Sequence, residues 1–132
     1  MILENIKLSA KGRDYLVTLK RRTGVQNWNI VCRWAFCISL AEKSVPPPSK
    51  IPTDSQVEMS WKTFGGEYAD LYEALFRLRC QSDKIPLDDP KRVGEHFRIH
   101  LHRGLSYLMA DKTTSNVFTL IKGFLPKVKK AS

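Results

Sequence analysis

Three histidines lie close together in the stretch "EHFRIHLHRG". His96 and His100 are four residues apart, which places them on one face of a helix at a spacing used by zinc ligands. The metalloprotease pattern H-E-x-x-H needs glutamate directly after the first histidine, but Phe97 stands there. Two arginines in the same stretch would repel a cation. We therefore expect no metal site, and structural or phosphate-contacting roles for His96, His100, His102 and Arg103.

Other motifs of catalytic or cofactor sites are absent from the sequence, including G-x-S-x-G, the P-loop and G-x-G-x-x-G. Gly65 and Gly66 indicate a turn before a helix. Three carboxylates, Asp83, Asp88 and Asp89, fall in a proline-containing loop. We interpret them as helix caps and not as a nuclease metal site. The sequence therefore predicts no catalytic residue and no cofactor.

Three adjacent basic residues, Lys20, Arg21 and Arg22, precede a threonine and a glycine. One cation in the last turn of a helix interacts favourably with the helix dipole, by about 0.3–1 kcal/mol, and adjacent like charges offset part of that gain. Together with Lys11 and Arg13, the cluster therefore predicts a rim that contacts phosphates and releases their counterions. A solvated polar face is the alternative interpretation of each residue.

The charge of the chain is unevenly distributed. The 132 residues carry a formal charge of +9, and the sequence pI is about 9.7. Residues 1–43 have eight basic and three acidic side chains, residues 44–90 have five and eight, and residues 91–132 have nine and two. This pattern predicts a basic face, an acidic face and a polyanionic partner.

The compartment follows from what the sequence lacks. No apolar run approaches the roughly 18 residues of a membrane span, and the first residues show no secretory pattern. Cys32, Cys37 and Cys80 are odd in number and form no C-x-x-C motif. We therefore expect a cytoplasmic protein, not associated with membranes, whose thiols are buried and reduced.

The first 43 residues predict a strand followed by two helices. "ILENIKLS" alternates with a period of two and places Ile6 and Leu8 inward. Ser9 is a suitable N-cap for a helix over residues 10–23, and Gly24 a suitable terminator. Asn27 can cap a second helix that reaches about Glu42.

The second helix is apolar on nearly every side, so all of its faces must be buried. In a chain of this size, the simplest way to bury both faces is an oligomer, a dimer or a tetramer, in which the second helices pack together. The predicted oligomer core consists of Ile30, Val31, Trp34 and Ile38.

The remainder predicts a mainly helical protein. Prolines make residues 44–55 an extended connector, and a short second strand is expected within residues 56–64. Further helices are expected from Glu67 to Cys80, from Pro90 to Ala110, and from Thr113 or Thr114 to Phe124. A basic tail follows at 126–132. We interpret residues 1–132 as a single domain, with the strand-helix-helix unit at 1–43 and the helical part at 56–125.

The order strand, helix, glycine turn, buried helix is that of the ribbon-helix-helix unit, in which two chains pair their strands into a ribbon that fits the DNA major groove. Asn5 and Lys7 would point outward from the ribbon. The first amides of the second helix, near Gln26 and Asn27, would face phosphates. The alternative is a small helical domain with an incidental strand. The full candidate DNA-binding set is Asn5, Lys7, Lys11, Arg13, Lys20, Arg21, Arg22, Gln26 and Asn27.

Several segments together resemble the DndE family, the small subunit of the bacterial DNA phosphorothioation, or DNA sulfur modification, system. They are "IKLS", "LVTLKRRTG", "NIVCRWAFCISLAE", "GEYADLYEALFRLR" and "HLHRGLSYL". The resemblance implies an accessory subunit with a met-repressor-like amino-terminal fold that assembles as a tetramer and prefers nicked duplex DNA. It also implies partner proteins, a cysteine desulfurase and an iron–sulfur enzyme, that mobilise the sulfur. The start of the second helix and the basic tail depart from the family pattern.

Four functions remain open on the sequence. The first is a non-enzymatic subunit that binds the DNA backbone, and the second is a ribbon-helix-helix transcriptional repressor that reads bases through Asn5 and Lys7. The third is a metal-dependent DNA nickase, and the fourth is an adaptor for an acidic protein. We rank them in this order.

Overall fold

The computed structural model describes residues 3–110, and the predicted last helix and basic tail lie outside this range. The prediction of a mainly helical protein with an amino-terminal strand is confirmed. The elements, in chain order, are β1 (Asn5–Lys7), α1 (Ala10–Thr23), α2 (Trp28–Ala41), β2 (Glu58–Ser60), α3 (Trp61–Gly65), a 3-10 turn (Gly66–Tyr68), α4 (Ala69–Ser82) and α5 (Pro90–Ala110). Within residues 3–110, no helix has both the length and the apolarity to span a membrane.

Helix α1 begins and ends where its caps predict. The Ser9 hydroxyl accepts a hydrogen bond from the Gly12 amide at 2.9 Å, which satisfies one of the free donors of the first turn. Gly24 has φ of 77°, a left-handed conformation that disfavours residues with a side chain, and its amide donates to the Lys20 carbonyl. Helix α5 begins similarly, with the Asp89 carboxylate accepting from the Arg92 amide at 3.3 Å.

Strand β1 pairs with β2 of the same chain. The two run antiparallel, with Asn5 opposite Ser60, Ile6 opposite Met59 and Lys7 opposite Glu58. The ribbon-helix-helix interpretation instead pairs β1 with the same strand of a second chain. That expectation is wrong for the edge of β1 that β2 occupies. The short second strand predicted within residues 56–64 is confirmed as β2. It ends at Ser60, whose hydroxyl accepts from the Thr63 amide at 3.0 Å and so caps α3, a helix that the sequence did not predict.

The core forms where α2 crosses α5. The two helices approach so closely at Gly104 that a Cβ atom there would lie 1.7 Å from the Ala35 carbonyl oxygen. Beside this crossing, aromatic rings from four helices pack edge to face or tilted, with centroids 5.0–5.9 Å apart. The rings belong to Phe36, Trp61, Phe64, Phe76 and Phe97. This packing fixes the face that α2 turns inward.

Helix α2 buries most of its apolar surface within its own chain. Of the predicted oligomer core, Val31 is fully buried inside the protomer. Ile30, Trp34 and Ile38, spaced four residues apart, are only half-buried and leave an apolar line along the helix. Cys32 and Cys80 are buried as predicted, but Cys37 is exposed, which corrects the expectation for that thiol.

Candidate nucleic-acid interface

Helix α1 carries basic side chains all around its solvent-facing half. Its buried stripe consists of Gly12, Leu16, Leu19 and Thr23. The basic residues lie off that stripe: Lys11, Arg13 and Arg21 are exposed, and Lys20 and Arg22 are half-buried. Asp14 is the single acidic residue of the helix. Its carboxylate lies 3.5 Å from the Arg13 guanidinium, and both side chains are largely exposed, so solvent screens this pair.

The three adjacent basic residues point in different directions. The Lys20 ammonium lies 4.5 Å from the centroid of the Trp28 ring, a cation–π contact with the start of α2. Arg22 donates from Nη1 to the Met109 carbonyl of α5 at 3.4 Å. Arg21 is exposed to solvent between them. Two members of the cluster therefore also join α1 to neighbouring helices.

At its amino end, α1 is already occupied by a carboxylate. The Ala10 amide donates to Asp54 Oδ1 at 2.7 Å. Asp54 comes from the proline-rich connector, far away in sequence, and its negative charge suits the positive end of the helix dipole. Phosphates would therefore meet the basic side chains of α1, while Asp54 holds the first free amide of the helix.

The β1–β2 ribbon presents mixed charge. Asn5 and Lys7 are exposed, as the sequence predicts for outward residues. Their cross-strand partners are Ser60 and Glu58, and Glu58 is also exposed. The Glu58 carboxylate therefore lies on the strand opposite Lys7 and reduces the positive potential of the ribbon. Neighbouring basic side chains make α1 the more positive of the two surfaces.

The start of α2 lies beside the ribbon. Gln26 and Asn27 are exposed, and Asn27 occupies the N-cap position in an extended conformation, without a side-chain capping hydrogen bond. A groove of about 430 Å³ separates this turn from β2, and it is lined by Asn27, Trp28, Asn29, Thr63 and residues 56–59. Gln26 and Asn27 lie in the short connection between α1 and α2, a few residues after the carboxyl end of α1.

The candidate residues therefore fall into two groups at the ends of α1. Lys7, Lys11 and Arg13 lie near its beginning, and the second group, Lys20, Arg21, Arg22, Gln26 and Asn27, lies at its end. The ten steps from residue 11 to residue 21 span about 15 Å at 1.5 Å per residue. This is roughly the axial rise of four base pairs. Side chains at both ends can thus contact one duplex.

The histidines of α5 belong to a buried polar cluster. His96 Nε2 and His100 Nε2 donate to the same Asp83 carboxylate oxygen, at 2.7 and 3.0 Å. Arg79 Nε donates to both oxygens of that carboxylate, at 2.9 and 3.0 Å. The Ser39 hydroxyl lies 2.7 Å from His100 Nδ1 and can donate to it. Asp83 thus ties the end of α4 to α5, which sequence reasoning missed when it treated this residue as an ordinary helix cap.

The cluster keeps its histidines neutral near pH 7. Burial lowers the pKa of His100 to about 4 and also lowers that of His96, although Asp83 acts in the opposite direction on both. Burial alone would raise the pKa of Asp83. Hydrogen bonds from His100, His96 and Arg79 outweigh burial and lower it. The carboxylate is therefore ionised and accepts from two neutral rings and one guanidinium.

The same three residues are the candidate metal ligands among residues 3–110. One ligand atom from each of Asp83, His96 and His100 lies within 4.8 Å of the other two. In this geometry each of those atoms already makes a hydrogen bond within the cluster, and the positive Arg79 contacts the carboxylate. A divalent ion would have to break these bonds and approach a guanidinium. The donor set therefore fits a structural cluster better than a metal site.

His102 and Arg103 also make structural contacts. His102 Nδ1 donates to the Arg98 carbonyl at 2.7 Å, which leaves Nε2 to accept from the Ser9 hydroxyl at 2.9 Å. Arg103 donates to Ser39 and to the Ser44 carbonyl, which fixes the beginning of the connector. Because both side chains are engaged in these hydrogen bonds, they are less available for the expected contacts with phosphates.

The chain is similar to one known protein family, both in sequence and in fold. A family model described as "DndE: DNA sulphur modification protein DndE" matches residues 5–116. The crystal structure of DndE from Escherichia coli B7A, described as involved in DNA phosphorothioation modification, is 23% identical, with a TM-score of 0.69. The match covers 82% of this chain and 98% of that one.

A second solved structure, the DndE G21/24K mutant involved in DNA phosphorothioation, is 22% identical with a TM-score of 0.61. It covers 80% of this chain and 96% of the other. At these identities the likeness shows a shared fold. No curated protein sequence matches the chain.

Proposed function

The chain belongs to the DndE family, and on that premise we propose that it is a non-catalytic subunit of the DNA phosphorothioation machinery. In this proposal it binds the phosphate backbone of double-stranded DNA, nicked duplexes included, as a homo-oligomer in the cytoplasm. The proposal rests mainly on α1, where five basic side chains, three of them exposed and two half-buried, accompany a single acidic one. These cations are spread over about 15 Å of helix, and a duplex carries one negative charge per roughly 1.7 Å.

The ribbon supports backbone binding more than base reading. A ribbon-helix-helix repressor needs β1 to pair across two chains, whereas here β1 pairs with β2 of the same chain. The Glu58 carboxylate beside Lys7 would also repel phosphates as the ribbon approached a groove. We therefore place Asn5 and Lys7 at the margin of the interface and the basic side chains of α1 at its centre.

Sulfur chemistry is assigned to partner proteins of the same system. The Ser9 hydroxyl is buried as a helix cap, and hydrogen bonds account for the Asp83 cluster. Neither group presents a free nucleophile or an open metal position to a substrate. The subunit would hold the duplex while other phosphorothioation proteins act on it.

For the oligomer, we retain α2 as a contact between copies. Ile30, Trp34 and Ile38 form a half-buried apolar line along α2, and Trp34 and Ile38 also pack against the edge of the core. Packing this line on its symmetry mate would remove it from water. Val31 belongs to the core of the protomer and takes no part in this contact.

Binding of intact, nicked and single-stranded DNA across a salt series tests the proposal. The variant Lys20→Ala/Arg21→Ala/Arg22→Ala should bind duplex DNA more weakly, and its salt slope should be shallower by up to about 2.7, at about 0.9 per lost phosphate contact. The matched control, Lys43→Ala/Lys50→Ala/Lys91→Ala, removes the same charge from exposed positions outside α1. Equal losses in both variants, or no loss in the first, would contradict the assignment to α1.

The same series separates the alternatives. A repressor would bind one operator at least about 10³-fold more tightly than random DNA, whereas a backbone binder would not. A nickase would produce cleaved strands that a chelator suppresses, and an adaptor for an acidic protein would bind no duplex. We expect binding without cleavage and without a preferred sequence.

A further inference from the structure

Helix α4 leaves an apolar line exposed to solvent. Leu71, Leu75 and Leu78 are 54%, 38% and 63% exposed, and Ala74 lies exposed among them. Their spacing of three and four residues places them in one row along the helix. We call Leu71, Ala74, Leu75 and Leu78 the α4 stripe. Tyr68, 58% exposed, precedes it by one turn.

The exposed apolar side chains of this protein are concentrated around the α4 stripe. Among residues 3–110, seven large apolar side chains are exposed, and four of them lie between positions 68 and 78. The opposite side of α4 is anchored in the core through Phe76 and Cys80, both fully buried. The helix is thus held with its second apolar face outward, and a contiguous exposed apolar face of this kind is typical of a protein interface.

Charges beside the stripe indicate what covers it. Asp70 lies in the first turn of α4 and Arg77 in its second half, and both are exposed. They are seven residues apart, about two full turns, so they lie on the same side of the stripe. Arg77 pairs with Glu73 at 3.1 Å, while Asp70 makes no ion pair within the part of the chain that the structure describes. One border of the stripe therefore carries a negative charge at one end and a positive charge at the other.

We propose that α4 of a second copy covers this stripe, antiparallel to the first, with a twofold axis between Ala74 and Leu75. This symmetry places Leu71 opposite the partner's Leu78. It also brings Asp70 within about 3 Å, along the helix axis, of the partner's Arg77, twice in each pair. The stripe thereby buries itself against its own copy, and each border charge meets its opposite.

This inference rests on the proposed function for the idea of a homo-oligomer and names a surface that forms it. A self-complementary contact through α4 and a second one through the apolar line of α2 would each obey their own twofold axis. Two such contacts on different faces of the protomer can be occupied at the same time. A failure of DNA binding leaves the α4 contact intact, so the two proposals can be tested apart.

Exchange of the border charges provides the decisive experiment. Sedimentation equilibrium of the full chain should show that Asp70→Arg and Arg77→Asp each weaken self-association by about tenfold or more, because each places like charges together. The double variant Asp70→Arg/Arg77→Asp should restore it, since both charges reverse. Wild-type protein that remains monomeric, or a double variant no better than the singles, would overturn the proposal. A different partner protein on α4 predicts that second result.

Two further variants test the stripe itself. Leu71→Glu/Leu78→Glu should reduce the assembled mass, whereas Val45→Glu, at an exposed apolar position outside α4, should not. In a Cys37→Ser background, Ala74→Cys should form a disulfide between two copies under mild oxidation, because the axis passes beside position 74. Unchanged mass in the glutamate variant, or an absent crosslink in protein that still associates, would contradict the antiparallel arrangement.

Discussion

His102 Nε2 lies 2.9 Å from the Ser9 hydroxyl oxygen, which joins the amino end of α1 to α5 across 93 positions of sequence. The same hydroxyl accepts from the Gly12 amide, so one side chain both caps a helix and contacts its neighbour. His102 can accept here because burial lowers its pKa and Nδ1 donates to the Arg98 carbonyl. The basic helix is thereby held in place by a contact outside its own sequence.

Removal of this hydroxyl should loosen α1. We expect Ser9→Ala to lower the free energy of unfolding by roughly 2 kcal/mol, about half from the lost cap and half from the lost contact with His102. Urea denaturation followed by circular dichroism measures this change. Ser106 is exposed on α5 and lines the same surface groove as Ser9 and His102, so Ser106→Ala should be nearly neutral. A similar cost for both variants would contradict the assigned role of Ser9.

The close crossing of α2 and α5 predicts different costs for two glycines of one helix. In Gly104→Ala the new methyl group would meet the Ala35 carbonyl at 1.7 Å, so the helices must separate, and we expect a loss of at least about 3 kcal/mol. At Gly94 the nearest atoms are 3.7 Å from the added carbon, an ordinary contact. Gly94→Ala should therefore stabilise by about 0.5–1 kcal/mol. Thermal unfolding of the Gly104→Ala and Gly94→Ala variants measures both effects. Similar stability of the two variants would contradict the close crossing.

The Asp83 cluster should be sensitive to loss of its charge. Asp83→Asn retains the shape of the side chain but leaves the largely buried Arg79 guanidinium without its ionic partner. We expect a loss of roughly 3 kcal/mol, as for other broken buried ion pairs. Asp88→Asn, an exposed change in the same loop, serves as the control and should cost little. Urea denaturation at pH 7 measures the free energy of unfolding of both variants. Equal stability would contradict the claim that the Asp83 charge stabilises the cluster.

Acidification should destabilise the protein before its carboxylates titrate. The folded state holds the pKa of His100 near 4, whereas an unfolded histidine has a pKa of 6.5. Between these values the unfolded state binds more protons, so stability falls as the pH decreases from 6.5 towards 4. The slope approaches about 1.4 kcal/mol per pH unit for each such histidine.

The pH dependence is measured by urea denaturation at several pH values, for the natural chain and for His100→Gln. The variant should show a shallower decline because one low-pKa group has been removed. Stability that stays constant from pH 7 to pH 5, or the same slope in both proteins, would contradict this account.

Local signals in the sequence predicted the helices well. Ser9, Gly24 and Pro90 lie at the helix ends they were expected to mark, because capping depends on atoms a few residues away. The inward positions of Ile6 and Leu8 are also confirmed. Alternation of apolar residues can reveal such faces before the fold is known.

Contacts between distant segments could not be predicted in the same way. Nothing near Lys7 in sequence indicates that Glu58 lies opposite, and the connector gives no sign that Asp54 contacts the first amide of α1. Trp28 begins the helix after the basic cluster, so its ring was a visible candidate for a cation–π contact. Its contact with Lys20 nevertheless depends on the angle between α1 and α2.

The sequence by itself determined where α1, α2 and α5 begin and end, which faces are apolar and which segment carries the positive charge, but it did not reveal α3. Tertiary structure alone decided which of those charges remain free, which apolar faces stay exposed and which strand β1 joins. The reason is physical: caps and periodicity act over a few residues, whereas packing brings together groups separated by tens of residues. Arg21 and Arg22 are neighbours in sequence, yet one is exposed to solvent and the other contacts α5.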